Sequence, residues 1–299
     1  MPYRFKHGET PGAALRRVTL ETLADAGAIL RAPPDGDADV AVHEARKSTK
    51  KARAALRLGR DLLRGKDRKR IDAALRSLAK ALAPARDATV RRATARELAR
   101  QGRLPAPSTA LEAWLTGGGA AGAGAPARSL PSLADGFDEV RAAVEAAAWK
   151  DGGVSELRSG LERLFADGRD AWRRVGDPPD TDRLHLCRTH VKRLGYALRL
   201  LEPAWPQLVQ AESAELGRIG EALGQDHDRA VLVAALRKRS LPAERADEAA
   251  GLVAAADAET TRARQLLLPT VARLFAERPK GFAHRHAAWW DRWKRDPVG

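Results

Sequence analysis

The sequence predicts an all-α protein. Apolar residues recur at i, i+3, i+4 and i+7 along most of the chain, and the strong helix formers Ala, Leu, Arg, Lys and Glu fill the positions between them. No stretch alternates Val, Ile, Thr or Tyr with polar residues as a half-buried strand would.

The elements follow in chain order. Leu15, Val18, Thr19, Thr22, Leu23 and Ala26 form the apolar stripe of a first helix, which Pro33-Pro34-Asp35-Gly36 separates from the second. Gly65 breaks the chain ahead of a third helix marked by Leu75, Leu78, Ala79 and Leu82, and Pro84 and Pro105-Ala106-Pro107 mark later boundaries. The run from Gly117 to Pro126 is a flexible linker by composition. It predicts a first half at residues 1–116, a linker at 117–132 and a second half at 133–299. Leu157, Leu161, Leu164 and Phe165 stripe the next helix, and Pro178-Pro179, Pro203, Pro206 and Pro242 punctuate the rest.

Composition bounds the function. Of 299 residues, 53 are Lys or Arg and 39 are Asp or Glu, a formal net charge of +14. With an isoelectric point near 10.5, the chain attracts polyanions: nucleic acid, an anionic membrane surface or polymeric phosphate. The single cysteine, Cys187, excludes an internal disulfide framework and a cysteine-based zinc cluster, and is expected as a small core residue. No run of about 18 apolar residues is present, and the N-terminus lacks a secretory pattern, so the expected compartment is the cytoplasm.

The two halves share a pattern. His43, Arg46, Lys50, Lys51, Leu56, Arg57 and Leu58 recur as His185, Arg188, Lys192, Arg193, Leu198, Arg199 and Leu200, 142 residues later. The same offset aligns Leu15-Arg16 with Leu157-Arg158, and an offset of 141 aligns Leu75, Leu82 and Asp87 with Leu216, Leu223 and Asp228. Agreement in the same order over three segments reads as a duplicated helical unit.

On a helix, Arg46, Lys47, Lys50, Lys51, Arg53 and Arg57 fall within roughly 80° either side of His43. In the second half His185, Arg188, Thr189, Lys192, Arg193, Tyr196 and Arg199 share one face, with Leu186, Leu194, Ala197 and Leu198 opposite. Solvated helix faces ordinarily mix signs, because like charges at i,i+4 repel by tenths of a kcal/mol. Here Glu44 is the only acid between His43 and Arg57, and none lies between His185 and Arg199. Two such stripes in matched register point to a shared anionic ligand. Each rises about 21 Å, a length suited to a linear polymer rather than a single phosphate. Tyr196 is the one aromatic in them, too few for the stacking platforms of single-strand readers.

These residues carry a family resemblance. His43-x-x-Arg46 with Lys50-Lys51-x-Arg53-x-x-Leu56-Arg57, repeated from His185 with Lys192-Arg193-x-x-Tyr196-x-Leu198-Arg199, resembles the CHAD domain (conserved histidine α-helical domain). The run from Leu216 to Asp228 resembles it too. The resemblance implies two pseudo-symmetric four-helix bundles whose basic helices face a central cavity that binds inorganic polyphosphate, in some members at polyphosphate granules. It makes the thirteen residues His43, Arg46, Lys47, Lys50, Lys51, Arg53, Arg57, His185, Arg188, Lys192, Arg193, Tyr196 and Arg199 the expected ligand contacts. Gly195 stands where the first half has Arg53, thinning the second stripe. Arg16, Arg17, Lys80, Arg86, Arg158 and Arg218 are candidate extensions of the basic surface.

Two rival readings remain. A basic helical protein also suits RNA or DNA. His227-Asp228 looks like the adjacent pair of HD-type metal phosphohydrolases, but the first half offers Arg86-Asp87 there, and cations surround the pair. No P-loop is present, and neither catalysis nor a cofactor or bound metal is expected. Trp289, Trp290 and Trp293, beside His284, Arg285 and His286, are expected to pack on the second half.

Overall fold

The computed structural model describes residues 3–102, 104–116, 129–238 and 245–296, apart from the side chains at 84–89, 116 and 238. Among these residues it contains eleven α-helices: α1 (Pro11–Arg31), α2 (Ala38–Leu58), α3 (Gly65–Ala81), α4 (Pro84–Gln101), α5 (Thr109–Thr116), α6 (Leu130–Glu145), α7 (Val154–Arg173), α8 (Thr181–Leu200), α9 (Pro206–Lys238), α10 (Ala246–Leu274) and α11 (Pro279–Arg295). The all-α expectation holds. No described helix is long and apolar enough to cross a membrane.

Local chemistry sets the helix starts. Thr10 Oγ1 accepts from the Ala13 amide, Asp37 from those of Asp39 and Val40, and Asp180 from that of Arg183, each satisfying an orphan donor of its first turn. Proline stands at the first or second position of α1, α4, α6 and α11, where its missing N–H costs nothing. Shifted by 142 residues, α1 falls on α7 and α2 on α8 to within one residue at each end. The first half breaks at Pro84 between α3 and α4, whereas α9 runs unbroken through the matching stretch.

Packing crosses the division drawn at the linker. The Gly/Ala run lies outside the described residues, but Ser129 caps α6 and 130–132 already belong to that helix. Leu133, Phe137, Val140 and Val144 of α6 then join Leu23 and Leu30 of α1 and Ile71 and Leu75 of α3 in one core. The apolar stripe of α6 is what ties it to α1 and α3. A second core runs continuously from Leu15 and Val18 of α1 through α7, α8 and α9 to Trp290 of α11, so both halves share it. A third joins α4 and α5 to the far part of α9 and to α10. The tryptophans pack as expected: Trp290 is buried in the shared core, with Trp289 and Trp293 against it.

Backbones approach closely where α7 crosses the end of α2. A Cβ on Gly160 would lie 2.0 Å from the Leu58 carbonyl oxygen. This contact and the direct packing of α2 on α8 fix how the two basic helices sit. Leu186 departs from the expected apolar face and is 45% exposed. It lies about 100° from His185, at the border of the two faces, whereas Cys187, one residue on, is fully buried.

Candidate functional site

The basic faces of α2 and α8 meet at a cleft floored by α9. His43, Lys47 and Lys50 of α2 and Arg188, Lys192 and Arg199 of α8 line a space of about 530 Å³, with Tyr196 on its wall. An adjoining space of about 240 Å³ is lined by Arg46, Arg53, His185 and Arg193. Lys50, Arg188, Lys192 and Tyr196 border both. Eleven of the thirteen expected contacts therefore surround one pair of joined cavities.

Nearly all of these cations are half-buried, which is costly unless an opposite charge is supplied. Burial, then the nearby Arg57 and Arg53, pushes the Arg193 guanidinium down to about 10. Acids near the cleft are already engaged: Asp72 accepts from Arg53 Nε at 2.8 Å, and Glu221 lies 3.4 Å from Lys192 Nζ. Arg46 donates to the Leu82 carbonyl at 2.9 Å and Arg188 to that of Gly220 at 3.3 Å, contacts that fix the guanidinium groups without neutralising them.

His185 and His190 resist protonation. The His185 ring lies tilted against that of His227 of α9 with centroids 3.9 Å apart, and the Nδ1 atoms of both are buried without a partner. Burial, then His227 and Arg188, lowers His185 to about 4. Burial and Arg193 do the same to His190. The folded protein thus resists protons that the unfolded chain, with ordinary histidines, takes up near pH 6.5. This contribution to stability is complete above pH 6.5 and fades as pH falls towards 4. In dilute buffer the melting temperature is expected to drop across that window, and a His185→Asn, His190→Asn double variant to drop less. Equal slopes for the two proteins would refute the assignment.

Two expected contacts lie outside the cleft walls. Lys51 sits over the Tyr3 ring, Nζ 5.4 Å from its centroid, while the Tyr3 hydroxyl donates to the Lys51 carbonyl at 2.8 Å. Arg57 is half-buried beyond Arg53, its Nε without a partner, and burial lowers its pKa. The candidate extensions are scattered. Arg17 pairs with Glu9 and Glu21, and Arg16 donates to the Glu145 carbonyl. Lys80 and Arg158 are exposed, Arg218 is exposed and paired with Glu215, and the Arg86 side chain lies outside the described residues.

Sequence reasoning missed Ser213 and Glu221, which line the cleft from α9. Their signal is the i,i+4 spacing from Ser213 through Gly217 to Glu221, which carries no single charge sign to draw notice. Asp228 also borders the cleft. Among the described residues no group of three or more His, Cys, Asp or Glu side chains converges as a metal site requires. His227 instead lies tilted against His185, and its neighbour Asp226 is held by Arg264 at 2.7 and 2.9 Å.

A model of the CHAD domain matches residues 19–237. Among solved structures, the chain is similar to the CHAD domain from the plant Ricinus communis, with 17% identity and a TM-score of 0.61 over 93% of this chain and 96% of that one. It is also similar to PptA from Streptomyces chartreusis, with 16% identity and a TM-score of 0.59 over 89% of this chain and 99% of that one. At these identities the likeness is one of fold. No curated protein matches the chain.

Proposed function

Because this chain belongs to the CHAD domain family, we propose that it binds inorganic polyphosphate in the cleft between α2 and α8. One observation carries the reading: two helices with cationic faces of one sign pack together, and Lys50, Arg188 and Lys192 border both cavities between them. A linear chain of phosphates supplies one negative charge per unit to a slot whose cations are crowded and part-dehydrated. Arginine forks onto phosphate oxygens and lysine adds a point charge. The near absence of aromatics other than Tyr196 disfavours nucleic acid, whose bases need stacking surfaces. The protein acts in this reading as a binding module without catalysis, built from an internal duplication, and polyphosphate granules are the compartment it suits.

Competition separates the readings. Labelled single-stranded RNA bound to the protein is expected to be displaced by long-chain polyphosphate at a phosphate concentration at least tenfold below that of unlabelled RNA needed for the same effect. RNA displacing labelled polyphosphate at the lower concentration would favour the nucleic-acid reading.

A further inference from the structure

The cations of α8 are not held by acids alone; they lie on a floor from which side chains are missing. On α9, Gly220 faces the Lys192 stem: a Cβ built there would lie 3.1 Å from Cε, 3.2 Å from Cγ and 3.3 Å from Cδ. One helical turn on, a Cβ on Gly224 would lie 2.9 Å from Nη2, 3.0 Å from Nε and 3.3 Å from Cζ of Arg188. Arg188 and Lys192 are themselves one turn apart, so the spacing of the glycines matches that of the cations. Glycine at two interior positions of a long helix costs about 1 kcal/mol each relative to alanine, so helix propensity does not account for them.

We propose that Gly220 and Gly224 are positioning residues: they seat Lys192 and Arg188 flat against α9, with the charged groups facing the space between α2 and α8. This rests on the polyphosphate reading for its functional part, not for its geometric part. The seated conformation brings Arg188 Nε to the Gly220 carbonyl at 3.3 Å and Lys192 Nζ to Glu221 at 3.4 Å. Both cations border both cavities, so a shift of either changes the cleft on two sides. A methyl group on either glycine meets a flexible side chain, not backbone. At Gly224 the Arg188 guanidinium must shift, at Gly220 the Lys192 stem must give by a few tenths of an ångström, and the fold survives with both cations displaced.

The test uses Gly220→Ala, Gly224→Ala and the double variant, with long-chain inorganic polyphosphate as the probe. Melting temperatures are expected to stay level or rise, while affinity falls about tenfold for the double variant, the loss of roughly one charge-assisted contact. A merely structural role predicts instead that affinity and stability move together. A mutant cycle sharpens the result: in a Lys192→Ala background, Gly220→Ala is expected to cost nothing further. Additive losses, or unchanged affinity in the double variant, would overturn the proposal. A wild-type protein that fails to bind polyphosphate at all would instead sink the functional reading. In that event a crystal structure of Gly224→Ala still decides the geometric claim, which requires the Arg188 contact to the Gly220 carbonyl to be broken.

Discussion

Alanine at Arg46, Lys50, Arg188 and Lys192 together is expected to weaken polyphosphate binding by a hundredfold or more. These four cations border the joined cavities, two from each basic helix. None supports the apolar core, and Lys50, Arg188 and Lys192 stand on half-buried faces where their mutual repulsion opposes folding. Their removal therefore leaves the melting temperature within a few degrees. Each phosphate no longer neutralised lowers the salt dependence by about 0.7 in the log–log slope, by analogy with single-stranded nucleic acid. Four lost contacts reduce it by about 3. Calorimetric titration of the variant at two ionic strengths measures both effects. The pair Arg46 and Lys50 alone, or Arg188 and Lys192 alone, is expected to give an intermediate loss, because one ligand spans both helices. If a pair from one helix reproduces the whole loss, the other helix is not a wall of the site.

Gly160→Ala is expected to have the largest effect on stability. The new methyl would meet Leu58 O at 2.0 Å, its C at 2.9 Å and its Cα at 3.2 Å, all backbone atoms with no rotamer to escape through. Helices α2 and α7 must separate, opening the shared core around Leu58 and Leu161. Overpacking of this kind costs about 1–3 kcal/mol, at the upper end where backbone must move, against a gain of about 1 kcal/mol in helix propensity. A net loss of about 2 kcal/mol lowers the melting temperature by roughly 3 °C in a chain of this size. Gly65→Ala is the control, since a Cβ there meets nothing within 4 Å. A Gly160→Ala protein that melts with the wild type would show that α2 does not pack on α7 at this point.

The sequence made some parts of this molecule legible and concealed others for physical reasons. Helical periodicity suffices for the elements because each helix must bury one stripe, whatever it packs on. The walls of α2 and α8 were legible because charge of one sign along a helix is costly and so rarely without cause. The pairing of α6 with α1 was not legible, because an apolar stripe reports that a helix buries one face but not which helix covers it. The contact of Lys51 with Tyr3 was not legible, because the two are 48 residues apart and no local pattern reports so distant a contact. The part of α9 in the cleft floor was legible as a motif but not as a wall, because it contributes Ser213, Leu216, Gly217, Glu221 and Asp228 there rather than cations.

In the proposed function, two cationic faces confront each other and are relieved by a chain of negative charges. Polyphosphate affinity measured from about 50 to 500 mM monovalent salt tests it most directly. With roughly eight phosphates neutralised along the slot, the log–log slope is expected near −5 to −6. A slope near zero would mean that the ligand is held by something other than these cations, and would contradict the account.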